Sequence, residues 1–350
     1  MDNQRCQEFL GWIQHFLPSG FYCSDQLALT ALTGDAGFRS YYRINTKPSL
    51  IAVDAPPQQV DNPSYVLVDT AFRQQGIHTP EIHAVDFSRG FLLIEDLGDN
   101  LFQFALDQQA TDPLYGEAES VLLKLQSLAQ DKEVFPLYNR QRLIDEMALF
   151  PHWFVGELLG VDVDVALQQI LEELFDLLVS NALEQPQVVV HRDYHARNLM
   201  VLEDSTLGVI DFQDAVLGAI TYDLVSLLRD CYVRHPESWV HSHALAYKNQ
   251  AVASGLLTGV DDKTFLRWFD LMGLQRHIKV LGIFARLWLR DGKSGYLGDL
   301  PLVIRYTLEV ARQYPETKAL YHWFIANIEP RLTVQDWYRP WRTAGEDDSL

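Results

Sequence analysis

Residues 188–232 read VVVHRDYHARNLMVLEDSTLGVIDFQDAVLGAITYDLVSLLRDCY, and this stretch decides the fold. Val188, Val189 and Val190 lead into a polar loop carrying His191, Asp193 and Asn198 in the spacing H-x-D-x-x-x-x-N. Two short apolar runs, 199–202 and 207–210, flank the polar turn 203–206 and predict a hairpin that delivers Asp211-Phe212 at its end. Phosphoryl transfer needs little covalent chemistry from a protein; it needs a positioned hydroxyl and neutralised phosphate charge. Asp193 is placed to accept a hydroxyl proton. The amide oxygen of Asn198 and the carboxylate of Asp211 suit a hard cation such as Mg²⁺ that keeps waters and shares phosphate oxygens. A lone Asp-Phe pair reads as an ordinary strand end, whereas loop, hairpin and acidic strand end in this order form a specific signature.

The details depart from protein kinases. Gln213 stands where Gly is usual, no A-P-E segment follows, and His195 replaces the Lys common two positions after the aspartate. The pattern H-x-D-x-H-x-x-N, then Ile210-Asp211-Phe212, then Tyr222-Asp223-Leu224 opening a helix, resembles the aminoglycoside phosphotransferase and choline kinase superfamily. HRDYHARNLMV and GVIDFQDAVLGAITYDLVSLLRDCY, with TGDAGFRSYYR, DAPP and QRHIKVLGIFARLWLRDGK, resemble its branch of bacterial kinases acting on the anomeric hydroxyl of N-acetylmuramate and N-acetylglucosamine. The resemblance touches most of the chain. It implies an α+β, bilobal, protein-kinase-like fold with an antiparallel-sheet N-lobe over 1–97 and a mainly helical C-lobe over 98–350. It also implies ATP and Mg²⁺ as cofactors, an amino sugar as small-molecule partner, phosphorylation at C1, and a place in cell-wall sugar recycling. In this pattern His191 is structural and orders the loop, and His195 lies near the γ-phosphate. Asp223 is a structural brace accepting N–H bonds from the loop.

The formal charge is 28 − 47 = −19. That balance argues against nucleic acid or an anionic membrane as main partner, and a phosphate site then requires local cations. Cys6, Cys23 and Cys231 are odd in number and far apart, so neither a disulfide framework nor a zinc site is indicated. The first residues, MDNQRCQEFLGW, lack a basic start followed by an apolar run, and no segment approaches a membrane span, so a cytoplasmic location is expected. Nothing in the sequence speaks to oligomeric state.

Taken in order, residues 3–17 read as an amphipathic helix and 27–32 as a strand. Thr33 to Ser40 forms a turn with Gly34 and Gly37, where backbone N–H groups can approach phosphate. The strand 50–54 ends at Asp54 before Ala55-Pro56-Pro57. Kinases usually carry Lys at that strand end; an aspartate repels phosphate, so Arg39 and Arg43 become the candidate phosphate ligands. A helix over 65–75 stops at Gly76, and strands follow over 82–87 and 91–94. Glu95 and Leu97 occupy the place of a hinge whose backbone pairs with adenine.

Apolar periodicity then predicts helices over 117–128, 140–159, 165–183, 222–232, 243–253, 263–289, 302–314 and 321–328, with a loose tail from 343. Strands early and helices late, with a hairpin between, mean two α+β lobes. Arg267, Arg276, His277, Lys279, Arg286, Arg290 and Lys293 cluster in one late segment, with Arg229 in another helix. The N-acetylmuramate lactyl carboxylate implied by the resemblance would seek such a cation, Arg229, Arg276 or His277 among them, and Asp214 is a further substrate candidate. Two alternatives stand beside this reading. One is a kinase of an amino alcohol or aminoglycoside, against which the late cations count. The other is a pseudokinase binding module, against which the retained Asp193, Asn198 and Asp211 count.

Overall fold

The computed structural model describes residues 3–23, 25–32, 37–106 and 111–346. In chain order the first elements are α1 (Asn3–Phe16), β1 (Tyr22–Cys23), β2 (Leu29–Ala31), β3 (Ser40–Ile44), β4 (Thr46–Lys47), β5 (Leu50–Asp54), α2 (Asn62–Gln74), β6 (Ile82–Asp86) and β7 (Phe91–Glu95). Then come α3 (Phe102–Ala105), α4 (Thr111–Gln126), α5 (Arg140–Met147), a π-helix Phe150–Leu158, α6 (Val165–Glu184), β8 (Gln187–Val190), β9 (Leu199–Val201), β10 (Leu207–Val209) and β11 (Val216–Ala219). The rest is helical: α7 (Tyr222–Leu228), α8 (Glu237–Ala253), α9 (Asp262–Asp291), α10 (Leu300–Gln313), α11 (Lys318–Asn327) and α12 (Glu329–Leu332). No helix among the described residues is long and apolar enough to cross a membrane.

The chain forms two compact units, residues 1–102 with 198–213, and residues 103–197 with 214–350. In the first, an antiparallel sheet runs β2-β3-β5-β7-β6. Strand alternation sends Ile44, Leu50, Ala52, Phe91 and Leu93 to one face, where Phe9, Trp12 and Ile13 of α1 seal them from water. The register Ser40↔Asp54↔Phe91 puts Asp54 on that same face. Its carboxylate is gripped by Arg5 of α1 at 2.5 Å, and Arg5 also donates to the Arg89 carbonyl at 2.8 Å and lies over the Phe91 ring. Asp54 therefore tethers α1. The residue of this strand end that faces the other side is Val53, which is apolar.

The hairpin β9–β10 belongs to this unit too, so the expected division 1–97 and 98–350 is not the one observed. Its strands pair Leu199↔Val209 to Val201↔Leu207. The Val201 N–H reaches the Asn100 carbonyl and the Val209 N–H reaches the His78 carbonyl, each at 2.8 Å. Gly208 lets the Leu97 side chain close in, since a Cβ there would lie 2.7 Å from it. Phe212 is fully buried against Tyr65 and Phe72 of α2, with ring centroids 4.9 and 5.7 Å apart. α2 starts where its sequence signals a cap: the Asp61 side chain accepts the Ser64 N–H at 3.0 Å.

The second unit is assembled on α9, thirty residues long and buried over most of its length. Asp261 caps its start, and Gly292, left-handed at φ 69°, ends it. Gly282 allows the chain at Leu149 to pass close; a Cβ would sit 2.4 Å from the Leu149 carbonyl carbon. The expected single helix over 140–159 is broken. α5 ends at Met147, and the next turns, with Pro151 near their start, wind as a π-helix, consistent with a proline that lacks a backbone donor. β8 pairs antiparallel with β11, Val190↔Val216 to Gln187↔Ala219. Strand β11 was not expected, because its four small or apolar residues run into Ile220 without a turn signal. The helix expected over 222–232 ends at Leu228, freeing 229–232 as a loop.

Candidate active site

The motif is shared between the two units, with residues 191–197 in the second and 198–213 in the first. In the second unit, β8 delivers the loop and Arg192 turns it with a left-handed φ of 79°. A non-glycine residue persists there only when its surroundings over-determine it, and here they do. Asp223, fully buried at the start of α7, accepts the His191 N–H at 2.6 Å and the Arg192 N–H at 3.0 Å. Arg276 of α9 donates to the Arg192 carbonyl at 2.6 Å. The Arg192 guanidinium meets Glu146 of α5 at 2.5 Å. Downstream, Asp230 accepts the Ala196 N–H at 2.9 Å and Tyr194 donates to the Ala118 carbonyl at 2.8 Å. His191 is fully buried, and its Nδ1 accepts the Asp193 N–H at 3.3 Å.

The charges around Asp193 decide its state. Burial resists ionisation, but the cations Lys279, Arg276 and Arg192, Lys279 first, outweigh it and hold the carboxyl well below the usual carboxylate range. Asp193 is thus an anion at any working pH. Asp223 and Asp230 go the other way: burial lifts each to about 6 despite the N–H bonds they accept. Burial pushes His195 down to about 4, so its ring is neutral at pH 7. Its buried Nδ1 has no hydrogen-bond partner among the described residues, and the ring meets Tyr232 edge-on at 5.5 Å.

The cations expected to receive a substrate carboxylate are already spoken for. Arg229, 3% exposed, is closed in an ion pair with Asp270 at 2.7 Å and Glu237 at 2.5 Å. His277 stacks on Tyr306 and its Nε2 donates to the Arg229 carbonyl at 3.1 Å. Burial depresses it to about 3, so it carries no charge to offer. Arg276 is buried over the Tyr222 ring and donates to the Arg192 carbonyl in the loop after β8. All three are buried and already paired within this unit. Asp214 is exposed.

In the first unit, Asn198 enters β9 and Asp211 leaves β10, so both are carried at one end of the hairpin, joined by the Ile210 N–H to Asn198 carbonyl bond at 3.1 Å. Asp211 is exposed and left-handed at φ 63°, and its Oδ1 accepts the Gln213 amide at 2.9 Å. An amide oxygen and a strained, exposed carboxylate are hard donors that fit Mg²⁺. Arg39 bonds the Asp61 carbonyl at 3.2 Å and lies over the Tyr65 ring, which stacks on Phe212 beside Asp211. Its buried Nε has no partner among the described residues. Tyr41 feels the same neighbourhood: burial, opposed by Arg39 and reinforced by Asp211, pushes it up to about 12.

Arg43, the other candidate, is saturated. It chelates Asp96 at 2.6 and 3.0 Å and Asp99 at 2.8 and 2.9 Å. Gly34 lies outside the described residues, and Gly37 is exposed. The Glu95 N–H is used by the Glu81 carbonyl at 2.8 Å, and its carboxylate by His78 at 3.1 Å. Among the described residues the Leu97 backbone has no hydrogen bond. Sequence reading missed Glu146 and Asp230. Glu146 is one acid in the polar helix RQRLIDEM, forty-odd residues before the loop, and carries no local signal.

The family model described as phosphotransferase enzyme family matches residues 28–257, which span β2 to α8. The N-acetylmuramate/N-acetylglucosamine kinase of Pseudomonas putida is 42% identical over 294 residues, 84% of this chain and 86% of that protein. The protein of the same name from Pseudomonas aeruginosa is 39% identical over 325 residues, covering 91% and 96%. Among solved structures, a choline kinase from Cryptosporidium parvum superposes with TM-score 0.62 at 12% identity, covering 91% of this chain and 99% of that one. The ADP-bound aminoglycoside phosphotransferase APH(2'')-Ib superposes with TM-score 0.56 at 14% identity, covering 89% and 99%. Those two show the protein-kinase-like α+β fold expected from the sequence. The loop, the hairpin and the acidic strand end all fall within the matched residues, and the chain belongs to the phosphotransferase enzyme family.

Proposed function

We propose that this protein is an ATP-dependent kinase of N-acetylmuramate, N-acetylglucosamine or both, phosphorylating the anomeric C1 hydroxyl. The observation that carries the catalytic part is Asp193, kept anionic in a loop whose strained turn is held by Asp223, Arg276 and Glu146. The names of relatives at 42% and 39% identity support the sugar. In this reading Asp193 accepts the hydroxyl proton as the bond to phosphorus forms. Anomeric hydroxyls are more acidic than ordinary sugar alcohols, so one carboxylate suffices. Asn198 and Asp211 would hold Mg²⁺, which supplies charge neutralisation to the phosphates. Arg39 takes the role of the missing strand lysine, with Arg43 spent on Asp96 and Asp99. The Leu97 N–H and the Glu95 carbonyl are the groups for the adenine edge, and neutral His195 offers a ring nitrogen near the transferred group. The product belongs to cytoplasmic recycling of cell-wall sugars.

The test is ADP release from Mg-ATP with a panel of amino sugars, choline, ethanolamine and aminoglycosides. The proposal expects sugar-dependent ADP with the first group and none with the others. ADP formed only with choline or an aminoglycoside would replace the substrate; none with any acceptor would favour a pseudokinase.

A further inference from the structure

Lys279 lies on α9 three residues after Arg276, and both side chains sit over the Tyr222 ring, at 5.8 and 4.8 Å. Lys279 is 5% exposed. Its Nζ meets Glu146 Oε2 at 2.9 Å and the Tyr222 hydroxyl at 3.1 Å. The other oxygen of Glu146 holds the Arg192 guanidinium at 2.5 Å, and the Tyr138 hydroxyl donates to Glu146 as well. One carboxylate of α5 therefore ties a helix lysine to the residue immediately before Asp193. A buried ion pair is weak evidence for stability, since apolar residues of the same size often do as well. Its use here is geometric. Arg192 has an unfavourable φ and three grips, on its N–H by Asp223, on its carbonyl by Arg276, and on its side chain by Glu146. The first two restrain the peptide on either side of Arg192. The third acts on the side chain and is itself fixed by Lys279.

We infer that Glu146 and Lys279 are positioning residues for the reaction: their buried pair anchors Arg192, and through it the orientation of the Asp193 carboxylate. This rests on the reading of Asp193 as the base. Neither residue needs to touch substrate. The electrostatic link points the same way, because Lys279 leads the charges that keep Asp193 ionised.

The experiment compares Lys279→Met and Lys279→Arg with wild type under saturating and limiting substrate. Lys279→Met is expected to lower kcat about tenfold or more, while KM for ATP and for sugar stay within about twofold, as for loss of an interaction that matters in the transition state. Lys279→Arg keeps the charge and is expected to recover kcat to within a few-fold. A folded Lys279→Met with wild-type kcat overturns the inference, and so does a Lys279→Arg as slow as Lys279→Met. If Lys279→Met does not fold, the double variant Glu146→Gln, Lys279→Met removes both charges together, which buried pairs tolerate better than loss of one partner. A similar fall in its kcat supports the inference and an unchanged kcat overturns it. Asp193→Asn, assayed alongside, separates the two failures. If it is active, the base assignment is wrong; if it is dead while Lys279→Met is fully active, only the positioning role fails.

Discussion

Replacing Asp223 by Asn tests how the loop carrying Asp193 is held, and the structure predicts an effect that changes with pH. Asp223 Oδ2 accepts the His191 N–H and Oδ1 the Arg192 N–H. An Asn side chain keeps one acceptor and turns a donor toward the other N–H. Losing one hydrogen bond and leaving a buried donor unpaired costs about 1–3 kcal/mol. Against that stands the charge. Burial raises Asp223 from 3.8 to about 6, so between those values the unfolded chain ionises first and the wild-type protein loses stability as pH rises. The loss approaches roughly 3 kcal/mol above pH 7 and is about half that at pH 5. Asn does not titrate and suffers none of it. Relative to wild type, the variant should therefore gain about 1.5 kcal/mol in stability between pH 5 and pH 8. Urea unfolding of both proteins at the two pH values measures this directly. A stability difference independent of pH, or one that shifts in favour of wild type toward pH 8, would refute the reasoning.

Two further predictions concern the chemistry. Asp193→Asn preserves size and removes the proton acceptor, so kcat should fall at least ~10²-fold, the lower range for a general base, with KM values little changed; a kcat within a few-fold of wild type removes Asp193 from the mechanism. Arg39→Ala should weaken ATP by about 1.5–3 kcal/mol, the worth of a charged hydrogen bond, read as a rise in KM for ATP without one for sugar. Arg43→Ala should leave the KM for ATP alone and lower the melting temperature, because Asp96 loses its bidentate partner. The reverse pattern would exchange the two roles.

Much of the local architecture around the motif was legible because its signals are local. The spacing from His191 to Asn198, the turn 203–206 and the apolar runs around it sit within one short segment, and they fold as the hairpin they imply. The brace at Asp223 was expected from its place at a helix start beside the motif, and it accepts the His191 and Arg192 N–H groups 32 and 31 positions earlier. What sequence reading lost depends on partners far away in the chain. Asp54 looked like the strand-end position of a lysine, but the strand register turns it to the α1 face, where Arg5, 49 positions earlier, meets it. The cations of α9 read as a cluster from which a substrate carboxylate could draw a partner; nothing in the sequence told that Arg276 and Lys279 are buried inside a helix-rich unit. Apolar periodicity ran straight through the break after Met147, because a π-turn keeps apolar residues inward while changing the winding.

The position of phosphorylation is the most direct test of the proposed function. A C1 phosphate locks the ring and removes the reducing end; a phosphate at C6 leaves it. With N-acetylglucosamine and Mg-ATP, the account predicts a phosphorylated product that gives no reducing-sugar signal, and no turnover of the 1-O-methyl glycoside. A reducing product, or brisk turnover of the methyl glycoside, would contradict the anomeric assignment.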